Sequence, residues 1–172
     1  MNFKEFWKKK TANNDEWIGY LRTKGIRIGA GCEIYKDVSW GSEPYLITIG
    51  DHVRITSGCR FITHDGGVWV LRKMYGVDGA DLFGKITIGN NVHIGMDSVI
   101  MPGVTVGNNV VIGCGAVVTH DIPDGEVWGG VPARKIKTTE EYYEKNKDRF
   151  DMSKGMTLEQ KKDYLKEKFG LK

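Results

Sequence analysis

The chain has 172 residues, 40% of them hydrophobic, with 25 Lys and Arg against 22 Asp and Glu for a net charge of +3. That length holds one core, the mild charge leaves no basic stripe for nucleic acid, and no apolar run approaches the roughly 20 residues needed to span a bilayer. Cys32, Cys59 and Cys114 are odd in number and contain no CxxC pair, which argues against a disulfide framework and for a reducing, cytoplasmic setting.

Residues 1–25 come first. Their stretch NFKEFWKKKTANNDEWIGYLRTK reads as one or two short amphipathic helices that cap the open end of the fold. The same basic, aromatic composition would suit a membrane surface, but Asp15 and Glu16 dilute that face. From Ile26 onward apolar residues recur at every sixth place. Ile28, Ile34 and Trp40 form the first series, with Ile26, Cys32 and Val38 two places before them. After a slip over residues 41–46 the pattern resumes at Ile49, Ile55 and Phe61, with Ile47, Val53 and Cys59. A second break opens inside the stretch FITHDGG and lasts through residues 65–85. The longest run comes next: Ile88, Ile94, Ile100, Val106, Ile112 and Val118, accompanied by Ile86, Val92, Ser98, Val104, Val110 and Ala116.

Each repeat thus offers two inward residues separated by one outward residue, which is strand alternation lasting about three residues. Gly89, Gly95, Gly107 and Gly113, with the pairs Asn90-Asn91 and Asn108-Asn109, supply the turns between. A period of six fits neither an α-helix nor an uninterrupted strand. It predicts an all-β solenoid, a parallel β-helix of hexapeptide repeats, over residues 26–137. The two slips are insertions, which a repeat fold places outside as loops, commonly on its working face. Finally, Thr138 to Glu141 and Thr157 to Gln160 each fit a capping box, and Gly170 stands where a helix would stop, so residues 138–172 are expected to form a tail of two helices.

From Lys85 the run KITIGNNVHIGMDSVIMPGVTVGNNVVIGCGAVVTHDIPDGEVWGGVPARKIK, and above all its ending GGVPARKI, resembles the left-handed parallel β-helix acetyltransferases. Within them it is most similar to the branch of maltose and galactoside acetyltransferases and capsular or lipopolysaccharide sugar O-acetyltransferases. The resemblance covers residues 26–137. It implies a homotrimer, acetyl-CoA lying in the groove between neighbouring coils, no metal, and a loop histidine that deprotonates the acceptor hydroxyl for direct transfer in a ternary complex. His64, at the break in FITHDGG, matches that histidine. Independently of the resemblance, neutral imidazole is the side chain best suited to take a hydroxyl proton near neutral pH.

For the cofactor the resemblance points to Gly95, Met96, Cys114 and Gly115 as turn residues offering amides to the pantetheine arm, and to Thr119 nearby. His120 stands where relatives often carry a lysine near the CoA phosphates, which leaves Arg134, Lys135 and Lys137 as the cations for them. Met96 departs from relatives that have serine there. A thioether donates no hydrogen bond, so oxyanion support must come from a backbone N–H. Rings gather in the insertions, namely Trp40, Tyr45, Trp69, Tyr75 and Phe83, and suit the apolar faces of a sugar. Asp37, Glu43, Asp65, Asp78 and Asp81 are the carboxylates available to bind hydroxyls or to orient His64. Asp37, Trp40, Asp65, Trp69 and Tyr75 are therefore the acceptor-binding candidates. His93 faces outward between Val92 and Ile94, and His52 reads as surface. Other readings are an N-acetyltransferase acting on an amino sugar or aminated antibiotic, a zinc-dependent β-helix hydratase, and a non-catalytic scaffold. Against the zinc reading, His64, His93 and His120 are widely spaced.

Overall fold

The six-residue period becomes a backbone that visits three sheets in turn and comes back to each of them once per coil. The computed structural model describes residues 10–172, so the first part of the expected N-terminal cap, residues 1–9, lies outside the described residues. One sheet holds β1 (Arg27–Ile28), β3 (Ile47–Ile49), β6 (Ile86–Ile88) and β9 (Thr105–Val106) in that order. A second holds β2 (Glu33–Ile34), β4 (Arg54–Ile55), β7 (His93–Ile94), β10 (Val111–Ile112), β12 (Glu126–Gly129) and β13 (Arg134–Thr138). The third holds β5 (Arg60–Phe61), β8 (Val99–Ile100) and β11 (Val117–Val118). Every pair is parallel except β12 with β13, which run antiparallel.

The register explains why the inward residues are β-branched or aromatic. Ile34, Ile55, Ile94 and Ile112 are Cα partners in successive strands, as are Phe61, Ile100 and Val118, so like side chains stack on like. All of these are buried, and with Ile47, Ile86, Ile88 and Val106 they form one continuous core. The inward positions of the repeat are buried throughout, with one departure: Trp40 is only half-buried and packs against the core's edge.

One corner carries a polar ladder. The backbone N–H of Ala30 donates to Asp51 Oδ1 (2.7 Å), that of Asp51 to Asn90 Oδ1 (2.8 Å), that of Asn90 to Asn108 Oδ1 (2.9 Å) and that of Asn108 to Asp124 Oδ1 (2.7 Å). Residue types that bond their neighbours' backbone from a short side chain are therefore required at these turns. His52 belongs to this corner, exposed, with Nδ1 2.8 Å from Asn91 Oδ1.

Both ends of the strand stack are finished by other structure. Helix α1 (Asn14–Thr23) opens with a capping box between Asn13 and Glu16 and buries Trp17, Ile18, Tyr20 and Leu21. Its Asn14 donates to Cys32 O (2.8 Å) and accepts from Ile34 N–H (3.1 Å), taking the place of a neighbouring strand, while Arg22 donates to Ile28 O and Gly29 O. At the other end β13 folds back on β12, a hairpin that the repeat pattern did not announce. Residues 65–85, which keep to no six-residue pattern, contain the short helix α2 (Val68–Tyr75), ended by Gly76 in the left-handed conformation.

Two helices come after the hairpin, as expected. Helix α3 (Thr139–Asn146) begins with reciprocal bonds between Thr138 and Glu141. Helix α4 (Leu158–Phe169) has the Thr157–Gln160 box and stops at Gly170. The chain divides into two compact units within α3, after Tyr142. In the second unit Tyr164 and Lys168 both donate to Asp151. Among the described residues no helix is long and apolar enough to cross a membrane.

Candidate active site

The two register slips meet. Ser39 bridges Arg60, so the chain leaving the first turn at Gly41 runs directly beside the chain leaving the next at His64. Gly41 has φ +66°, and a Cβ there would lie 2.8 Å from Thr63 Oγ1 and 3.1 Å from Phe61 O, so only glycine admits this approach. The approach brings Ser42 and Glu43 against Thr63 and His64. Glu43 Oε2 accepts from Thr63 Oγ1 at 2.7 Å and from Ser42 Oγ at 3.1 Å, and lies 3.3 Å from His64 Nδ1. Ser42 Oγ is also 3.3 Å from Nδ1. Thr63 is fully buried, the Glu43 side chain is 16% exposed and the His64 side chain 45%.

The Thr63 hydroxyl, and behind it Ser42 and His64, hold the Glu43 carboxyl below the usual carboxylate range. An ionised acceptor beside Nδ1 selects the tautomer with its proton there. Nε2 is then left with a lone pair. The base of the second loop is pinned on its far side: His64 bridges Phe83, whose ring meets the imidazole edge-on at 6.3 Å, and Gly84 N–H donates to Thr63 O. A Cβ on Gly84 would sit 2.3 Å from Gly103 N, so this loop too rejoins the coil through a gap fitted to glycine.

The acceptor candidates separate into two groups. Trp40 stacks on Phe61 (5.0 Å, 16°), and with Asp37 and Ser42 it lines a pocket of about 530 Å³ that reaches back to α1. Asp37 also accepts from Ser57 Oγ. The rest lie elsewhere. Asp65 accepts from Gly67 N–H in the turn before α2, while Trp69 and Tyr75 stand exposed on that helix; among the described residues none of the three bonds or stacks with His64. Ser42 and Thr63 were not singled out from the sequence. The sequence shows only that the series ending at Trp40 and at Phe61 both stop there; that the two exits lie side by side is a property of the fold.

Of the cofactor candidates, Gly95, Met96, Cys114 and Gly115 lie together at one corner, in turns that stack on each other. A Cβ on Gly95 would lie 2.5 Å from Cys114 N, which shows how closely the two turns stack. Gly95 N–H donates to Ile112 O and Gly115 N–H to Met96 O, so both amides are engaged within the coil. Those of Met96 and Cys114 make no backbone bond among the described residues, and both side chains are exposed. Thr119 Oγ1 is 2.8 Å from His120 Nδ1, both residues exposed beyond β11. Arg134 and Lys137 lie on β13, where Arg134 donates to Ala133 O. Lys135, on the same strand, is instead paired with Glu126 at 2.6 Å. His93, next to Arg54 and Glu33, is half-buried, and burial lowers its pKa.

Residues 85–120 match the family model described as bacterial transferase hexapeptide (six repeats). Protein CapG of Staphylococcus aureus is 53% identical over 151 residues, covering 87% of each chain. This chain belongs to the hexapeptide-repeat acetyltransferases. Among solved structures, the hexapeptide-repeat acetyltransferase VCA0836 of Vibrio cholerae O1 biovar eltor, in complex with acetyl coenzyme A, superimposes with a TM-score of 0.65 at 26% identity, over 78% of this chain and 82% of that one. A galactoside acetyltransferase in complex with coenzyme A gives 0.56 at 26% identity, over 90% and 84%. As a member of this family the chain is an acyltransferase, and its strand stack is the family's hexapeptide scaffold.

Proposed function

We propose that the chain is a cytoplasmic, acetyl-CoA-dependent O-acetyltransferase whose acceptor is a hydroxyl of a sugar or polysaccharide precursor. In this reading its three sheets are the faces of a left-handed β-helix over residues 26–137, with residues 1–25 as cap and 138–172 as tail. The carrying observation is the Thr63–Glu43–His64 arrangement at the rim of the third sheet. Glu43 holds the Nδ1 proton, so Nε2 takes the proton of the sugar hydroxyl as its oxygen attacks the thioester carbonyl carbon. The new C–O bond forms, the carbonyl becomes an oxyanion, and collapse breaks the C–S bond. His64 then returns the proton to the departing CoA sulfur. The exposed turn holding the uncommitted N–H groups of Met96 and Cys114 suits the oxyanion and the pantetheine amides, whereas the Met96 thioether cannot donate.

His120, Arg134 and Lys137 are assigned to the CoA phosphates. The coenzymes named in the Vibrio structure and the galactoside acetyltransferase support this cosubstrate, and the second of those names supports a sugar acceptor. Homotrimerisation is supported by α2, where Trp69 (76% exposed), Val70, Met74 and Tyr75 leave large apolar side chains uncovered on the single chain. The deciding experiment is His64→Ala assayed by release of free CoA thiol. The variant should fold and bind CoA like the parent, because His64 lies outside the core, while turnover falls about 10² to 10⁴-fold. Turnover within a few-fold of the parent would remove His64 from the chemistry.

A further inference from the structure

The pocket beside His64 has a wall with unused hydrogen-bonding capacity. Among the described residues three buried side-chain polar atoms lack any partner: Trp17 Nε1, Tyr20 Oη and Trp40 Nε1. All three belong to residues of this one pocket. Buried polar groups in folded proteins are nearly always paired, so three orphans in a single wall call for a ligand or water that satisfies them. The rings themselves are fixed, Trp17 stacked on Tyr20 (5.4 Å, 28°) and Trp40 on Phe61. Trp17 and Tyr20 are 1% and 8% exposed.

The rest of the lining restricts the ligand. Two indole N–H groups donate only, and the phenol can donate, so the wall asks for acceptor oxygens. Lys24 and Asp37 contribute one charge of each sign, which favours a neutral group over an anion. Leu21, Ile26, Val38 and Pro44 add apolar surface able to hold a methyl group. The volume of about 530 Å³ lies within the range of small-molecule sites. Ser42 also lines the pocket, and its Oγ is 3.3 Å from His64 Nδ1, so the pocket adjoins the proposed base without being lined by it.

We propose that this pocket binds a saccharide residue bearing an N-acyl substituent, its carbonyl and ring oxygens accepting from Trp17, Tyr20 and Trp40 and its acyl methyl lying on the apolar lining. This rests on the sugar reading above and sharpens it to an acylamino sugar. Because the orphan donors are sealed from water, the ligand reaches them only by parting the wall, so binding changes the surroundings of two indoles.

The test is tryptophan fluorescence of the full-length protein, without acetyl-CoA, titrated with N-acetylglucosamine, N-acetylgalactosamine and N-acetylmannosamine, and with the matching hexoses, free amino sugars and hexuronates. At least one acetamido sugar should bind 10-fold or more tightly than its parent hexose, since a site built to pair a polar group discriminates strongly against its absence. The same preference should persist in His64→Ala. Tyr20→Phe, which keeps the ring and removes the hydroxyl, should weaken that binding about 3- to 10-fold. Equal binding of hexose and acetamido sugar, or preference for hexuronates, would overturn the proposal. The thiol assay keeps the two readings apart. Acetyl transfer to plain sugars without acetamido preference would sink only the pocket assignment, whereas acetamido binding with no transfer to any sugar would sink only the O-acetyltransferase.

Discussion

Glu43 carries three partners on one carboxylate oxygen, and the shortest of them, the buried Thr63 hydroxyl, is the main reason that its pKa is lowered. A carboxyl held down in the folded state stays ionised throughout the range in which imidazole is neutral. Glu43 is therefore expected to add no limb of its own to the activity profile on mild acidification. Glu43→Gln keeps the shape but removes the charge that favours a protonated ring. Turnover should drop on the order of 10-fold, less than for loss of the base, and the acidic limb of kcat/KM should move to lower pH. An unmoved limb would show that Glu43 does not act on His64. Thr63→Val tests the other side. A lowered folded-state pKa contributes stability that is present above the unfolded value and lost as pH falls through the folded one. Without its hydroxyl partner Glu43 titrates higher, so acid unfolding followed by circular dichroism should begin at a higher pH in the variant.

At the scale of elements, the corner ladder converts a pair of turn residues per repeat into cooperation between successive turns. Asn108 accepts from Asn90 N–H and in turn has its own N–H held by Asp124, whose pKa is lowered by that bond. Asn108→Ala removes the side-chain bonds to Asn90 N–H, Asn90 Nδ2 and Asp124 Oδ2 and should cost about 1–2 kcal/mol in chemical denaturation, these bonds being exposed, with little effect on turnover. These turns and the buried stripe were legible in the sequence because hexapeptide spacing maps directly onto inward positions, from Ile26 to Val118. His64 was legible as the residue at which that spacing stops. The Ser42–Glu43–Thr63 contacts were not, because they join two insertions and no spacing within either one encodes the pairing. Asp65 shows the converse: it stands beside the candidate base in sequence, yet its side chain turns back to accept from Gly67 N–H two residues on, a local turn that takes it away from His64. Helix α2 itself was missed because its eight residues leave Trp69, Val70 and Tyr75 exposed, so no buried stripe marks it. The β12–β13 hairpin escaped notice because an antiparallel return leaves no six-residue signature.

For the whole molecule, the finish at its two ends decides in which direction copies can join. A stack of short parallel strands leaves open N–H and C=O groups above and below, and such edges recruit more strands. Here Asn14 and Arg22 of α1 occupy the groups of the first turn, and β13 covers β12 at the other. Strand addition at these groups is thereby blocked, whereas Trp69, Met74 and Tyr75 of α2 stay exposed. Light scattering should find the parent at three times the 19.3 kDa chain mass. The double variant Asn14→Ala, Arg22→Ala unmasks one end without touching His64, and since the other end stays covered its copies should pair end to end, doubling the parent's mass as protein concentration rises. If it stays at the parent's mass at every concentration, the end caps serve only the stability of the single chain. If its mass doubles, α1 is a guard against end-to-end pairing, and a stack of strands that would otherwise present bare edges at its first turn owes that closed end to two side chains.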